Sequence, residues 1–142
     1  MQITRNFSLD EFVKSETATK HNIDNTPPQN VITNIVSLCG VLQNIRDKYG
    51  KPMHINSGYR CPKLNSKVGG SKTSQHMNGS AADISVGSAK QNKELFDFIV
   101  KMVNNKEIQF RQLIDEYEYK WVHLAINCKE NSFRNNQILH LK

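Results

Sequence analysis

The sequence predicts an α+β fold in which helices cover one face of an antiparallel sheet. Apolar residues recur with a helical period in two long segments, and with a period of two in the shorter segments that lie between and after them. The order helix, helix, strands, helix, hairpin is typical of α+β domains. A composition of 37% hydrophobic and 23% charged residues over 142 positions fits one globular domain that spans residues 1–142.

The helical segments carry recognisable start and stop signals. Ser8 precedes "LDEF" as an N-cap, and Glu11 occupies the capping-box position three residues later. The longest helix follows the prolines of "NTPPQ", runs through "VITNIVSLCGVLQNI" and stops at "YGKP". A further helix covers "SAKQNKELFDFIVKMVNN", with Leu95, Ile99 and Met102 on one face.

The predicted strands alternate between apolar and polar residues. "PMHINSGYR" places Met53 and Ile55 on one face, and "AADISV" alternates in the same way around Asp83. "FRQLIDEYEYKWVHLAIN" predicts a hairpin whose second arm carries His123. Asp83 and His123 each lie at a position of an otherwise apolar strand whose side chain points away from the apolar face. We therefore expect both to project from the sheet face that the helices leave uncovered.

His76, in the loop "SQHMNGS", is the third residue of a candidate metal site. Two histidines and an aspartate suit zinc, which binds nitrogen and carboxylate oxygen at about 2.0–2.2 Å and keeps a fourth position open in catalytic sites. On parity alone, two interpretations stay open. The three residues either bind zinc or find ordinary partners, with His76 hydrogen bonded in its loop, Asp83 capping or ion-paired and His123 half-buried.

The charge, the cysteine content and the apolar runs of the sequence indicate which partners and which cellular location to expect. The net charge of +6, from 19 Lys and Arg against 13 Asp and Glu, favours polyanionic partners such as nucleic acid, a membrane surface or an anionic cell-wall polymer. Because the basic residues are scattered and form no run, we do not expect nucleic-acid binding. The three cysteines form no C-x-x-C pair, so we expect reduced thiols. No apolar run approaches the roughly 20 residues of a membrane span, and the N-terminal segment lacks the apolar core of a signal peptide. We expect synthesis in the cytoplasm and no membrane anchor.

Three motifs in the order "SGYR", "SQHMNGSAADI" and "WVHLA" resemble the zinc D-Ala-D-Ala carboxypeptidase family of peptidoglycan peptidases. The residues that match its S-x-H-x-x-G-x-A-x-D and W-x-H hallmarks are Ser74, His76, Gly79, Ala81, Asp83, Trp121 and His123. The resemblance extends to "FSLDEF", "HNIDNTPP" and "FRQLIDE", so it covers nearly the whole chain.

The resemblance implies a hedgehog-like zinc peptidase fold whose antiparallel sheet holds a Zn²⁺ ion. The zinc ligands that it implies are His76, Asp83 and His123. It also implies that Arg60 faces the substrate, where a guanidinium can bind a carboxylate or stabilise an oxyanion. Ser74 is expected to bind substrate or to orient the loop, and we assign no role to Gln75.

A zinc peptidase also needs a carboxylate that accepts a proton from the attacking water and passes it to the leaving amine. Several branches of the family carry an acid three residues before the last histidine, but Lys120 stands at that position here. We predict that Glu116, at the end of the first hairpin arm, is the base. Asp115 and Glu118 are alternatives, since a shift of one residue in register exchanges which acid faces the metal.

The sequence therefore predicts a monomeric zinc metallopeptidase that hydrolyses peptidoglycan stem peptides. It resembles D-Ala-D-Ala carboxypeptidases or L-Ala-D-Glu endopeptidases of the endolysin type, and in its compactness the phage and prophage members. Those members act on the cell wall after release or as a virion component. Because Lys120 replaces the usual acid, the alternative is a non-catalytic cell-wall-binding or virion structural protein that retains the zinc fold.

Overall fold

The computed structural model describes residues 1–141. The α-helices are α1 (Leu9–Val13), α2 (Glu16–Lys20), α3 (Gln29–Tyr49), α4 (Pro62–Lys67) and α5 (Ala89–Asn104). The strands are β1 (His54–Ser57), β2 (Ala81–Ser85), β3 (Gln112–Glu116), β4 (Trp121–Ala125) and β5 (Gln137–Leu141). A 3-10 turn, Gln75–Asn78, precedes β2. The α+β class predicted from the sequence is confirmed.

The strands of residues 1–141 form one sheet in the order β1-β2-β4-β3-β5. Neighbouring strands are antiparallel except β3 and β5, which are parallel, so the prediction of a purely antiparallel sheet is wrong. Gln112, at the start of β3, pairs with both Ala125 at the end of β4 and Gln137 at the start of β5. The connection 126–136 therefore begins and ends beside the start of β3. Because β5 begins there, it runs in the same direction as β3.

The hydrophobic core lies between one face of the sheet and the helices α3 and α5. Val122 and Leu124 of β4 are fully buried on this face. The fully buried residues of the two helices include Ile35, Leu38, Leu42, Ile45, Leu95 and Ile99. The helical and strand periodicities of the sequence are thus confirmed, because the apolar positions that they select pack together. None of the helices within residues 1–141 is long and apolar enough to cross a membrane.

The ends of the predicted helices also agree with the structure. The backbone N–H of Ser8 donates to a carboxylate oxygen of Glu11 at 3.4 Å at the start of α1. Gly50 follows α3 with φ of 79°, a left-handed conformation that glycine adopts without strain. The sequence predicts none of α2, α4 and β5. All three are short, and none carries a sustained apolar period.

Gly58, which follows β1, brings α1 into close contact with the strand. A Cβ atom at this position would lie 2.5 Å from the carbonyl oxygen of Phe12 and 2.6 Å from its Cα. The backbone N–H of Tyr59 donates to the same carbonyl at 2.6 Å. Only glycine permits this approach, which holds α1 against the segment that leads to Arg60.

Replacing Gly58 by alanine should therefore destabilise the fold by about 1–3 kcal/mol, the usual cost of overpacking. Gly40 supplies the matched control, since it lies within α3 and its added Cβ would meet nothing within 4 Å. Gly40→Ala should stabilise the protein by about 0.5–1 kcal/mol, because alanine is the better helix former. Urea unfolding measures both effects. Equal stability of Gly58→Ala and wild type would contradict the close approach.

Candidate metal centre

Two strands and one turn bring the predicted metal ligands together. Asp83 of β2 is the direct antiparallel partner of His123 of β4, so their side chains project from the same face of the sheet. His76 comes from the 3-10 turn that precedes β2. One ligand atom from each residue lies within 4.8 Å of the other two. Both histidines are buried, and the side chain of Asp83 is 14% exposed.

A backbone carbonyl determines which nitrogen of His76 faces the site. The Nδ1 atom of His76 lies 2.7 Å from the carbonyl oxygen of Gly58. A carbonyl only accepts, so Nδ1 carries the proton and donates it. The unprotonated Nε2 then faces Oδ1 of Asp83 at 3.4 Å. A hydrogen bond of this kind commonly orients a metal-binding histidine.

His123 is oriented by a side chain instead. Its Nε2 lies 2.9 Å from Oε1 of Gln75, and an amide oxygen accepts, so Nε2 is the donor. Its Nδ1 lies 3.0 Å from Oδ1 of Asp83. The lone pairs of Nε2 of His76 and Nδ1 of His123 thus both point at Oδ1 of Asp83.

This arrangement of two ring nitrogens around one carboxylate oxygen suits a bound cation. A lone pair that faces a carboxylate oxygen is repelled by it unless a proton or a metal ion lies between them. Tetrahedral zinc, with bonds of about 2.0–2.2 Å, separates its ligand atoms by about 3.3–3.6 Å. The 3.4 Å between His76 Nε2 and Asp83 Oδ1 falls in this range, and the 3.0 Å between His123 Nδ1 and the same oxygen lies just below it. The donor set, two imidazole nitrogens and one carboxylate, is one that zinc prefers.

Electrostatics favour an ionised Asp83. Burial by itself raises the pKa of this carboxyl group, but the adjacent imidazoles of His76 and His123 outweigh it and hold the pKa well below its usual range. A carboxylate must also be ionised to bind a metal.

Arg60 and Ser74 lie beside these residues. Nη2 of Arg60 donates to Oγ of Ser74 at 3.2 Å, and the same oxygen accepts from the backbone N–H of His76 at 3.2 Å. Burial lowers the pKa of the Arg60 guanidinium, and the carboxylates of Asp83 and Glu116 oppose that shift. Nε of Arg60 is buried and has no hydrogen-bond partner within residues 1–141. The guanidinium therefore has donor capacity available for a ligand.

Of the three candidate acids, Glu116 is the one on the face of the metal ligands. It pairs with Trp121 across the hairpin, and the indole Nε1–H of Trp121 donates to its Oε2 at 3.0 Å. Asp115, one residue earlier, is buried on the opposite face and hydrogen bonded to His140. Glu118 is exposed in the turn, with φ of 56°.

A cavity of about 660 Å³ joins these groups. Its lining includes the three predicted ligands together with Arg60, Ser74 and Glu116. A second cavity of about 600 Å³, lined in part by Glu11, Glu16 and Tyr59, shares Arg60 with the first. Both cavities are also lined by Ser57 and Val68, so Arg60 borders each of them. Lys120 lies in the turn and is exposed.

Comparison with known proteins identifies the family. The peptidase M15 family matches residues 5–125, which is most of the chain. The chain belongs to the peptidase M15 family. A zinc D-Ala-D-Ala carboxypeptidase from Streptomyces albus G is 48% identical over 48 residues, which cover 33% of this chain and 19% of that protein. The match therefore spans a minor part of that relative.

Membership of the peptidase M15 family agrees with the chemistry of the cluster. The family, the name of the Streptomyces relative and the His76–Asp83–His123 cluster together support zinc as the cofactor. The family match ends at residue 125, so β5 lies beyond it.

Sequence reasoning missed two residues of this M15 site. The sequence gives no reason to assign a role to Gln75, yet its side chain contacts His123. It marks Trp121 only as part of a motif, yet the indole of Trp121 donates a hydrogen bond to Glu116. The parity of β4 could have pointed to Trp121, which lies two residues before His123 and so shares its face. No pattern in the sequence distinguishes Gln75.

Zinc should stabilise the metal-free protein. A ligand that binds only the folded state adds about 2.7 kcal/mol at about 100 times its Kd, so the Tm should rise with zinc concentration. Thermal unfolding followed by circular dichroism measures the shift. His54→Ala is the control, because His54 is an exposed histidine of β1 and its loss should leave the zinc response intact. A Tm that zinc does not change would contradict the fit.

Proposed function

We propose that this chain is a zinc-dependent peptidase that hydrolyses peptidoglycan stem peptides, as a D-Ala-D-Ala carboxypeptidase or as an L-Ala-D-Glu endopeptidase. One observation carries the proposal. The His76–Asp83–His123 cluster opens into a cavity that also contains a carboxylate, Glu116, and a guanidinium, Arg60. The family and the name of the Streptomyces relative support the substrate class. The phage or prophage origin stays a prediction from the sequence.

His76, Asp83 and His123 would hold the zinc ion. When bound, zinc polarises a scissile carbonyl and lowers the pKa of a coordinated water toward about 7. The hydrogen bonds from His76 to Gly58 and from His123 to Gln75 keep the two rings fixed, so the cluster needs little rearrangement to bind.

Glu116 is the proposed general base. Its carboxylate lines the cavity on the metal face, and the Trp121 indole fixes one of its oxygens while the other stays free to accept a proton. The proton taken from the attacking water then passes to the leaving amine of the peptide. This placement gives the site an acid even though Lys120 stands where many relatives carry one.

Arg60 is the proposed substrate clamp. Arg60 lines both cavities, and its Nε–H has no partner within the described residues. It can bind a peptide carboxylate or carbonyl in fork geometry, and it can stabilise the oxyanion that forms during hydrolysis. Ser74 holds the guanidinium in place through its hydroxyl oxygen.

Digestion of purified muropeptides, analysed by mass spectrometry, tests the function directly. The zinc-loaded protein should release a single type of fragment, terminal D-Ala from a carboxypeptidase reaction or a peptide that begins with D-Glu from an L-Ala-D-Glu endopeptidase reaction. His76→Ala, Asp83→Ala and His123→Ala should lose both bound zinc and hydrolysis, because one of three protein ligands is removed. His54→Ala should keep both.

Two outcomes would argue against the proposal. Wild-type zinc content in all three ligand variants would show that the metal binds elsewhere. Peptide binding without any cleavage by the zinc-loaded wild type would instead favour a non-catalytic cell-wall-binding protein.

Glu116→Gln should keep the fold and the zinc but lower kcat by about 10²–10⁴-fold, because an amide cannot accept the proton. Glu118→Gln is the matched control, since Glu118 carries the same side chain into the exposed turn of the same hairpin. Its turnover should stay close to wild type. Steady-state kinetics on the muropeptide substrate measure both variants, and the reverse ranking would mean that Glu116 is not the base.

A further inference from the structure

A chain of three glutamine side chains joins His123 to the last strand. Nε2–H of His123 donates to Oε1 of Gln75 at 2.9 Å. Nε2 of Gln75 donates to Oε1 of Gln112 on β3 at 3.0 Å, and Nε2 of Gln112 donates to Oε1 of Gln137 on β5 at 2.8 Å. This glutamine chain therefore runs from the 3-10 turn across β3 to the edge of the sheet.

The donor-to-acceptor direction of the hydrogen bonds in the glutamine chain decides which nitrogen of His123 carries the proton. An amide has one accepting and one donating end, so the orientation of each glutamine sets that of the next. In the observed direction, Gln75 presents its oxygen, the proton is on Nε2, and Nδ1 faces Asp83 with a free lone pair. In the reverse direction, the NH₂ group of Gln75 would face Nε2. A neutral ring would then carry its proton on Nδ1 and could not offer that nitrogen to a metal.

We propose that Gln75, Gln112 and Gln137 are positioning residues that hold His123 in the tautomer that binds zinc through Nδ1. The inference rests on the proposed function only in taking His123 as a ligand. His76 needs no such device, because a backbone carbonyl, which only accepts, orients it. An amide side chain can turn over, so the orientation of Gln75 needs support from its neighbours.

The position of Gln137 gives β5 a role in the metal centre. The strand lies beyond residues 5–125, which the peptidase M15 family matches. Its parallel pairing puts Gln137 directly opposite Gln112, and Gln112 is opposite Ala125 on β4. The added strand thus supplies the terminal acceptor of the glutamine chain.

Zinc affinity, measured by competition with a chelator, tests the proposal without any peptidase assay. Gln75→Met keeps the length of the side chain but loses the acceptor, and it should weaken zinc binding by about 10–100-fold, the usual cost of losing such a partner. Gln75→Glu keeps an acceptor for His123 and should restore affinity. The absorption spectrum of the cobalt-substituted protein should change in Gln75→Met and not in Gln75→Glu.

Gln137, the last member of the glutamine chain, is tested in the same way. Gln137→Leu should reduce zinc affinity in the same direction as Gln75→Met but by less, whereas Gln137→Glu, which still accepts from Gln112, should not. Gln43→Met is the control, since Gln43 lies on α3 and its amide contacts Asn6 and Asp47. Its affinity and cobalt spectrum should match wild type.

Long-range ¹H–¹⁵N spectra of the zinc-loaded wild type supply a test that needs no variant. They should show Nδ1 of His123 bound to metal and a proton on Nε2, and for His76 the opposite assignment. Zinc bound through Nε2 of His123 would overturn the proposal, even if Gln75→Met failed to fold.

The outcomes also separate this inference from the proposed function. An inert wild type whose zinc affinity falls in Gln75→Met would support the glutamine chain and contradict the peptidase. An active wild type whose affinity and cobalt spectrum are unchanged in Gln75→Met would do the reverse.

Discussion

The cross-strand pairing of Asp83 with His123 is the contact on which the site depends. It places a carboxylate and an imidazole side by side on a sheet whose other face is packed against helices. Ala82 and Ile84, the neighbours of Asp83, are fully buried in the core, and so is Leu124 beside His123. A slip of one residue would exchange the two faces and bury the carboxylate among apolar side chains. The hydrophobic core therefore fixes the register that creates the metal site.

Close backbone packing extends this constraint to the third ligand. Gly58 lies against Phe12 of α1, and its carbonyl accepts the proton of His76. Gly79, at the end of the turn that carries His76, has φ of 71°, and a Cβ there would lie 2.7 Å from Cγ1 of Val31. The position of His76 is thus set by contacts with two helices. None of these contacts involves a charged group, so the site is held by packing before a metal binds.

The charges within the cavity balance one another only partly. Asp83 and Glu116 bring two carboxylates, while Arg60 is a half-buried guanidinium whose Nε–H has no partner within residues 1–141. Zinc would neutralise the carboxylate at the cluster and leave Glu116 and Arg60 to act on a substrate. The alternation of β3 separates the two neighbouring acids, since Glu116 lines the cavity while Asp115 pairs with His140 on the other side. One strand thereby places one carboxylate in the cavity and buries the next.

The sequence by itself determined the helices α1, α3 and α5, the strands β1 to β4 and the shared face of Asp83 and His123. These features follow from local periodicity, because burial selects every second residue of a strand and every third or fourth of a helix. The tertiary structure alone decided the parallel strand β5, the contact of Gln75 with His123 and the cavity that joins Arg60 to Glu116. These depend on where the chain returns after long connections such as 126–136, and on side chains from separate elements meeting within hydrogen-bond distance. A one-dimensional pattern records which face a residue takes, but not which distant residue lies beside it.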